Sequence, residues 1–420
     1  MMKIKLFYNK EPYQNILTKQ EHGVDVWNDL PNNINDSSFY KILNILGIEY
    51  EWSNDPDNSI VVADIGSLQH NTQQFEDTIQ FVANRYNKAI IFSSQEPWQK
   101  DIIDKILEYY PNIFLSDTHM PLKGDKIYHE RYIPFPSFIP SIVNIEQNII
   151  VKWPDIDYKQ NMHLFNCLMF NWRPDKHLLR TILRYLKLEG PQHFTTFRLP
   201  EKVTTDHKNR LITLLQDAPN QKIIDIALDG LENFTNQEPP ENIEVSLQPY
   251  NRTFDETFRV WPKYFMDTSV FSLVCESFSG TLDQSGPYIS EKSLYPLLNG
   301  HPMLAFAEQN FHSYLTDYGF ELHNEIFDYK FDSIKSPSNR ALHLLNQFKN
   351  TDWGILEQKV NPYNSTTRQI CRHNQYLLNN RSSKLWKKLE HNMKTNLQRY
   401  LDLWNKESYF HTWEHQIILI

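Results

Sequence analysis

The stretch FSLVCESFSGTLDQSGPYISEKSLYPLLNGHPMLAFAEQNFHSYLTDYGF, Phe271 to Phe320, decides how this chain is read. Phe271 to Cys275 is an apolar run of strand length, and Glu276 follows it at once, so a carboxylate stands at a strand's C-terminal end. Open α/β sheets bind their ligands at that end. A turn-rich gap (Ser279, Gly280, Asp283, Ser285, Gly286, Pro287) leads to Ser290, then to Glu291-Lys292-Ser293 and the apolar positions Leu294, Leu297 and Leu298. A hydroxyl cap, a polar first turn and an apolar stripe predict a helix start at Ser290. Pro296 keeps that helix short or kinks it, Gly300-His301-Pro302 ends it, and Met303 to Ala307 reads as the next strand.

A helix N-terminus beside a lysine suits a phosphate, because free backbone N–H groups and the helix dipole both favour negative charge. Lys292 is therefore a candidate phosphate contact. Glu276 and Glu291 accept hydrogen bonds only, so their natural ligands are hydroxyls, such as those of a ribose. A purely structural role fits as well: Glu291 as a dipole-matched first-turn residue, and Lys292 as a solvated one.

A second such place lies upstream. His163 to Phe170 is a near-continuous apolar run suited to a buried parallel strand. Asn171-Trp172-Arg173-Pro174-Asp175-Lys176-His177 follows, and then Leu178, Leu179, Ile182, Leu183 and Leu186 recur at helical spacing. A basic loop thus runs from a strand into a helix, with Arg173 as a forked donor and Lys176 as a point charge for phosphate.

The first half alternates between the two periods. Strands are predicted at Lys3 to Tyr8, Ile60 to Ala63, Ala89 to Phe92 and Ile113 to Leu115, with helices at Phe39 to Leu46, Gln74 to Arg85 and Asp101 to Tyr109. Alternation of this kind implies parallel βαβ units. Strand ends again supply carboxylates: Asp64, and Glu96 after the run Ala89 to Gln95. Glu96 is a candidate general base, since an attacking hydroxyl must lose its proton to a carboxylate or histidine as the new bond forms. It serves equally well as a cap for the helix that follows Pro97. Asp64 and His70 are weaker candidates.

With 420 residues, 40% of them hydrophobic and 14% aromatic, the chain has material for two folded domains. A net charge of -9 leaves no basic surplus to neutralise a nucleic-acid backbone. Three distant cysteines, Cys167, Cys275 and Cys371, encode neither a disulfide framework nor a zinc ribbon and fit a reducing compartment. No run of about 18 apolar residues predicts a membrane span. With only 11 glycines there is no Gly-x-Gly-x-x-Gly or P-loop, which removes the usual support for a dehydrogenase or kinase.

The segments Cys275-Glu276-Ser277, Tyr288-Ile289-Ser290-Glu291-Lys292 and His301-Pro302-Met303, with the later Gly319-Phe320 and Arg340, resemble the donor-binding half of fucosyltransferase-like glycosyltransferases of the GT-B fold. Ser277 stands where that family has Asn, and Ser290 where it has Thr. The run Asn171 to His177 is similar to a basic segment of related sugar transferases, and Ala89 to Pro97 to the segment that ends in the family's general base. The resemblance implies an α/β protein with two Rossmann-like domains facing across a cleft and with C-terminal helices. Residues 1–155 would form the acceptor side and linker, 156–383 the nucleotide-sugar domain, and 384–420 a helix and tail packing back across the cleft. Arg173, Lys176, Glu276, Tyr288, Ser290, Glu291 and Lys292 would bind the donor, a nucleotide-diphosphate sugar with GDP favoured, and Glu96 would activate a glycan or glycoconjugate hydroxyl. Transfer would be inverting, without metal or further cofactor, in the cytoplasm, as in the soluble bacterial, phage or viral branch. Two alternatives stay open: a metal-dependent GT-A transferase using Asp155 and Asp157, and a carbohydrate-binding or structural protein on an inactive transferase fold.

Overall fold

Parallel strands alternating with helices build both halves of the chain in the computed structural model. It describes residues 4–7, 43–53, 55, 59–64, 72–93, 98, 100–117, 129–134, 139, 163–169, 172–189, 193–197, 199, 202–235, 266, 268–276, 288–362 and 364–404. Two compact units emerge, one from the described parts of 1–148 and 386–420, the other from those of 149–282 and 287–385.

In the first unit, β1 (Ile4–Phe7) pairs in parallel with β2 (Tyr50–Ser53). The strands β3 (Val62–Asp64), β4 (Ala89–Ser93) and β5 (Ile113–Asp117) form a parallel sheet in that order, joined by α1 (Thr72–Arg85) and α2 (Lys100–Tyr109). Every residue of β4 and β5 is buried, as expected when both faces of a parallel sheet are covered. Val61, Ala63, Ile79, Val82, Ile91, Ile103, Ile106 and Leu115 form the core. At the end of β5, Asp117 accepts hydrogen bonds from the Trp98 N–H (2.9 Å) and the Tyr132 hydroxyl (2.7 Å), which ties down the segment entering α2.

The second unit runs β6 (His163–Met169), α3 (Pro174–Tyr185), β7 (His193–Phe197), α4 (Thr205–Leu215), α5 (Gln221–Asn233), β8 (Ser269–Cys275), α6 (Glu291–Leu298), β9 (Met303–Phe306) and α7 (Phe311–Asp317). A 3₁₀ turn (Lys330–Ser333) leads to α8 (Pro337–Asn346), α9 (Trp353–Val360), α10 (Thr366–Asn379) and α11 (Lys384–Trp404), the last of which carries the chain back into the first unit. Among the described residues the strands of this unit are all parallel, in the order β7-β6-β8-β9. Phe165 of β6 and Phe271 of β8 stand opposite each other, and Phe327 and Phe348 close on Phe271 at 4.9 and 5.1 Å between ring centroids. Asn166, a polar residue within the apolar β6, donates to Ser269 Oγ (2.6 Å) and Ser272 Oγ (3.0 Å) on β8, so its amide is not stranded.

The structure adds two elements that periodicity does not announce, the four-residue β2 and the seven-residue α7. The tail after Trp404 lies outside the described residues. Helix α6 begins and ends as its sequence dictates. Ser290 caps it by accepting from the Lys292 N–H (3.2 Å). At the other end Gly300 takes φ +62°, and the His301 and Gly300 N–H groups reach back to the Pro296 and Leu297 carbonyls, a Schellman closure.

Candidate functional site

The strand order of the second unit fixes where a ligand belongs. From β6 the chain steps to β7 on one side, then returns to place β8 and β9 on the other, so the crossovers diverge between β6 and β8. Open sheets of this type bind ligands at the carboxyl ends of the two strands flanking that divergence. The loop after β6 carries Trp172 and Arg173, and the segment after β8 carries Glu276 and then Tyr288 to Lys292.

Glu276 sits at the end of β8 with its backbone N–H still in the ladder, donating to Phe306 O at 2.9 Å. Its side chain is fully buried. Oε1 accepts from the Ser290 N–H (3.1 Å) and the Ser293 hydroxyl, and Oε2 accepts from the Ser290 hydroxyl. The hydroxyls that a strand-end carboxylate calls for are thus supplied by the protein itself, from the first turn of α6. Glu276 thereby anchors the segment that carries Lys292. The Lys292 side chain is half-buried, with Nζ 3.4 Å from the same Ser290 Oγ.

A second carboxylate repeats the arrangement one strand over. Glu308, just past β9 and buried, accepts from the Tyr288 N–H at 3.0 Å. The two strand-end glutamates therefore hold the segment Tyr288 to Ser293 at both ends. Arg340 of α8 is fully buried and donates through Nε to Ala307 O (3.0 Å), next to Glu308, and through a terminal nitrogen to Ile334 O and Lys335 O. Burial draws its pKa down to about 10, while Asp332, Glu308 and Asp175 act in the opposite sense. Asp332 takes the His312 and Ser313 N–H groups at the start of α7 and the His312 Nδ1–H at 2.8 Å. His312 Nε2 then accepts from the Ala305 N–H, which satisfies the outer edge of β9.

On the β6 side, Arg173 precedes α3 in extended conformation, and its side chain caps nothing. Pro174 follows at the first helical position, where a missing N–H costs no helical bond. Lys176, predicted as a phosphate-facing point charge, is only 4% exposed. Its charge counts among the influences that lower the Cys167 and Cys275 thiol pKa values, both pushed up chiefly by burial, Cys167 to about 12. Asp175 and Glu276 act on Cys275 as well, which brings the loop after β6 and the end of β8 within electrostatic reach of each other. His177 is wholly buried; its Nε2–H donates to Ala227 O (2.8 Å) and its Nδ1 accepts from the Trp172 indole N–H (3.3 Å).

The structure thus brings Arg173, Lys176, Glu276, Tyr288, Ser290 and Lys292 to one edge of one sheet. Glu291 opens α6 there, but its side chain lies outside the described residues, as do Glu96, Asp155 and Asp157. Among the described residues no group of three or more His, Cys, Asp and Glu is arranged to hold a metal ion, and no helix is long and apolar enough to cross a membrane. No protein-family model matches the chain, and no curated protein matches it. Sequence reasoning missed Glu308, although the signal was present: it follows the β9 run almost as Glu276 follows β8.

Proposed function

We propose that this chain is a GT-B-type glycosyltransferase acting in the cytoplasm, moving a sugar from a nucleotide-diphosphate sugar, with GDP favoured, to a glycan or glycoconjugate hydroxyl. The reading is supported by one observation above others: two segments suited to phosphate, Arg173 before α3 and Lys292 in α6, flank the point where the strand order reverses. In this reading Arg173 and Lys292 hold the diphosphate, and Glu291 takes ribose or sugar hydroxyls. Glu276, Glu308 and the Ser290 cap keep the Lys292 segment in place before the donor arrives. The acceptor oxygen attacks the anomeric carbon as the bond to the β-phosphate oxygen breaks, and that electron pair leaves with the nucleotide diphosphate. The two cations stabilise the departing charge without a metal. Glu96 takes the acceptor's proton.

The test is a calorimetric and thermal-shift screen of GDP, UDP, CMP and their sugars, with and without Mg²⁺ or Mn²⁺, on the wild type and Lys292→Ala. The expected result is metal-independent binding of one nucleotide diphosphate, weakened about tenfold or more in the variant, since a hydrogen bond to a charged group contributes about 1.5–3 kcal/mol. Binding that requires metal and ignores Lys292 would move the site to Asp155 and Asp157. Binding of none of these compounds would overturn the reading.

A further inference from the structure

We infer that the solvent face of α11 is a docking surface for an anionic phospholipid membrane, an inference that stands apart from the nucleotide-sugar reading. Residues 359–399 hold nine lysines and arginines and a single acidic residue, Glu390, while the rest of the chain holds 33 lysines and arginines against 50 aspartates and glutamates. A chain of net charge -9 thus gathers positive charge into one stretch. Within that stretch α11 sorts its residues by face. Leu385, Leu389, Met393, Leu397 and Tyr400 are buried on one side. On the other, Lys384, Lys387, His391 and Lys394 are exposed, and Lys388 is half-buried among them. Steps of three and four residues place these side chains on one stripe, a ridge about 15 Å long at the helical rise. Two carboxylates share the helix: Glu390 pairs with Lys394, and Asp402, two turns beyond the ridge, accepts from the Gln398 amide.

Charge complementarity names the kind of partner, and shape chooses the source of the negative charge. A straight row of cations meets a plane along its whole length. A plane touches one face of a protein, so the carboxylate surplus elsewhere in the chain need not approach it, whereas a nucleic acid that follows the protein surface would meet that surplus. The ridge is built of lysines, compact hydrated charges that gain from a field of headgroups without fixed geometry, and not of the arginine forks that grip single phosphates. The sequence beyond α11 supplies Tyr409, Phe410, Trp413 and the run Ile417 to Ile420, residue types that suit a lipid interface. Because the apolar face of α11 is committed to the core, the ridge itself binds by charge, and its hold weakens as salt screens it.

The experiment is co-sedimentation of the full chain with vesicles of phosphatidylcholine alone and of phosphatidylcholine mixed with phosphatidylserine, at low and raised salt. It compares the wild type with a ridge variant carrying Lys384→Gln, Lys387→Gln, Lys388→Gln and Lys394→Gln. A control variant makes the same change of charge at four exposed lysines of the second unit, Lys202→Gln, Lys222→Gln, Lys335→Gln and Lys349→Gln. The expected result is binding to the phosphatidylserine vesicles only, reduced about fivefold for each ridge lysine and on the order of a hundredfold or more for all four. The control variant is expected to bind nearly as the wild type does. Wild-type binding is also expected to fall steeply with salt, a readout that needs no substitution. No binding to anionic vesicles, equal binding to phosphatidylcholine, or binding indifferent to salt would overturn the inference. So would a ridge variant that binds like wild type, or a control variant that loses as much, since bulk charge and not the ridge would then decide. A duplex DNA oligonucleotide that the wild type holds more tightly than the vesicles would give the ridge to nucleic acid and overturn the membrane assignment.

Discussion

Removing the Glu276 side chain strands three donors in a buried place, the Ser290 N–H and the hydroxyls of Ser290 and Ser293. An unsatisfied buried donor costs about 1–3 kcal/mol, and the two hydroxyls have some freedom to rotate toward other acceptors. Glu276→Ala is therefore expected to lower the stability of the second unit by about 3 kcal/mol in urea denaturation. Glu276→Gln is expected to cost less, about 1 kcal/mol, because the amide retains one oxygen of the same reach. A Glu276→Ala protein as stable as wild type would show that the carboxylate does not anchor α6. The position of Glu276 at a strand end is legible in sequence, but its partners are not. A carboxylate that follows a strand satisfies a bound hydroxyl and a neighbouring helix cap equally well, and only the distance from β8 to α6 chooses between them.

Among the elements, α11 brings a buried apolar face to the first unit. Leu389, Met393, Leu397 and Tyr400 fall on one face at helical spacing and are all buried. The Tyr400 ring meets Phe114 of β5 edge-on at 4.7 Å. On the same helix Asn396 donates to Pro134 O and Arg399 to Glu130 O, which secures the chain that leaves β5. Tyr400→Ala leaves a cavity beside β5, and a buried aromatic truncated to alanine typically costs about 3–5 kcal/mol. The expected outcome is a matching loss of unfolding free energy, read by probes in the first unit. A loss below about 1 kcal/mol would mean that α11 does not complete this core. The periodicity of α11 is plain in sequence, but the sheet it covers lies more than 250 residues earlier, as in the 262-residue separation of Asn396 and Pro134. Amphipathicity tells that a helix has a partner and not which one.

At the scale of the molecule, buried histidines make stability depend on acid. Burial lowers the pKa of His177 to about 4, that of His323 to about 4 and that of His301 to about 3, with Arg368 adding to the effect on His301. Free histidine titrates near 6.5, so between that pH and about 4 the unfolded chain binds more protons than the folded one. Their contribution is full above pH 6.5 and is lost as pH falls toward 4. Each histidine contributes a slope of about 1.4 kcal/mol per pH unit where the two states differ by a whole proton. All three lie in the second unit. Its urea midpoint is expected to drop steeply from pH 6.5 to 4.5, and His323→Leu, which removes a buried Nδ1 that lacks a hydrogen bond, is expected to flatten that drop by about a third. A midpoint that holds constant across this range would refute the assignment of three neutral buried histidines.

The sequence by itself determined the parallel α/β class, most of the strands and helices, the Ser290 and Gly300 ends of α6, and the strand-end place of Glu276. Each of these follows from residues within a turn or two of one another, through side-chain period, cap hydroxyls or a left-handed glycine. Tertiary structure alone decided that β6 and β8 are neighbours, a pairing that ties Asn166 to Ser269 across 103 residues. It also decided that Lys176 and His177 turn into the protein, and that Trp172 meets His177 and His207 while the Arg173 side chain makes no cap hydrogen bond to α3. Strand order and side-chain direction are set by which apolar faces bury most area together, a property of the whole packed sheet that no local stretch of residues carries.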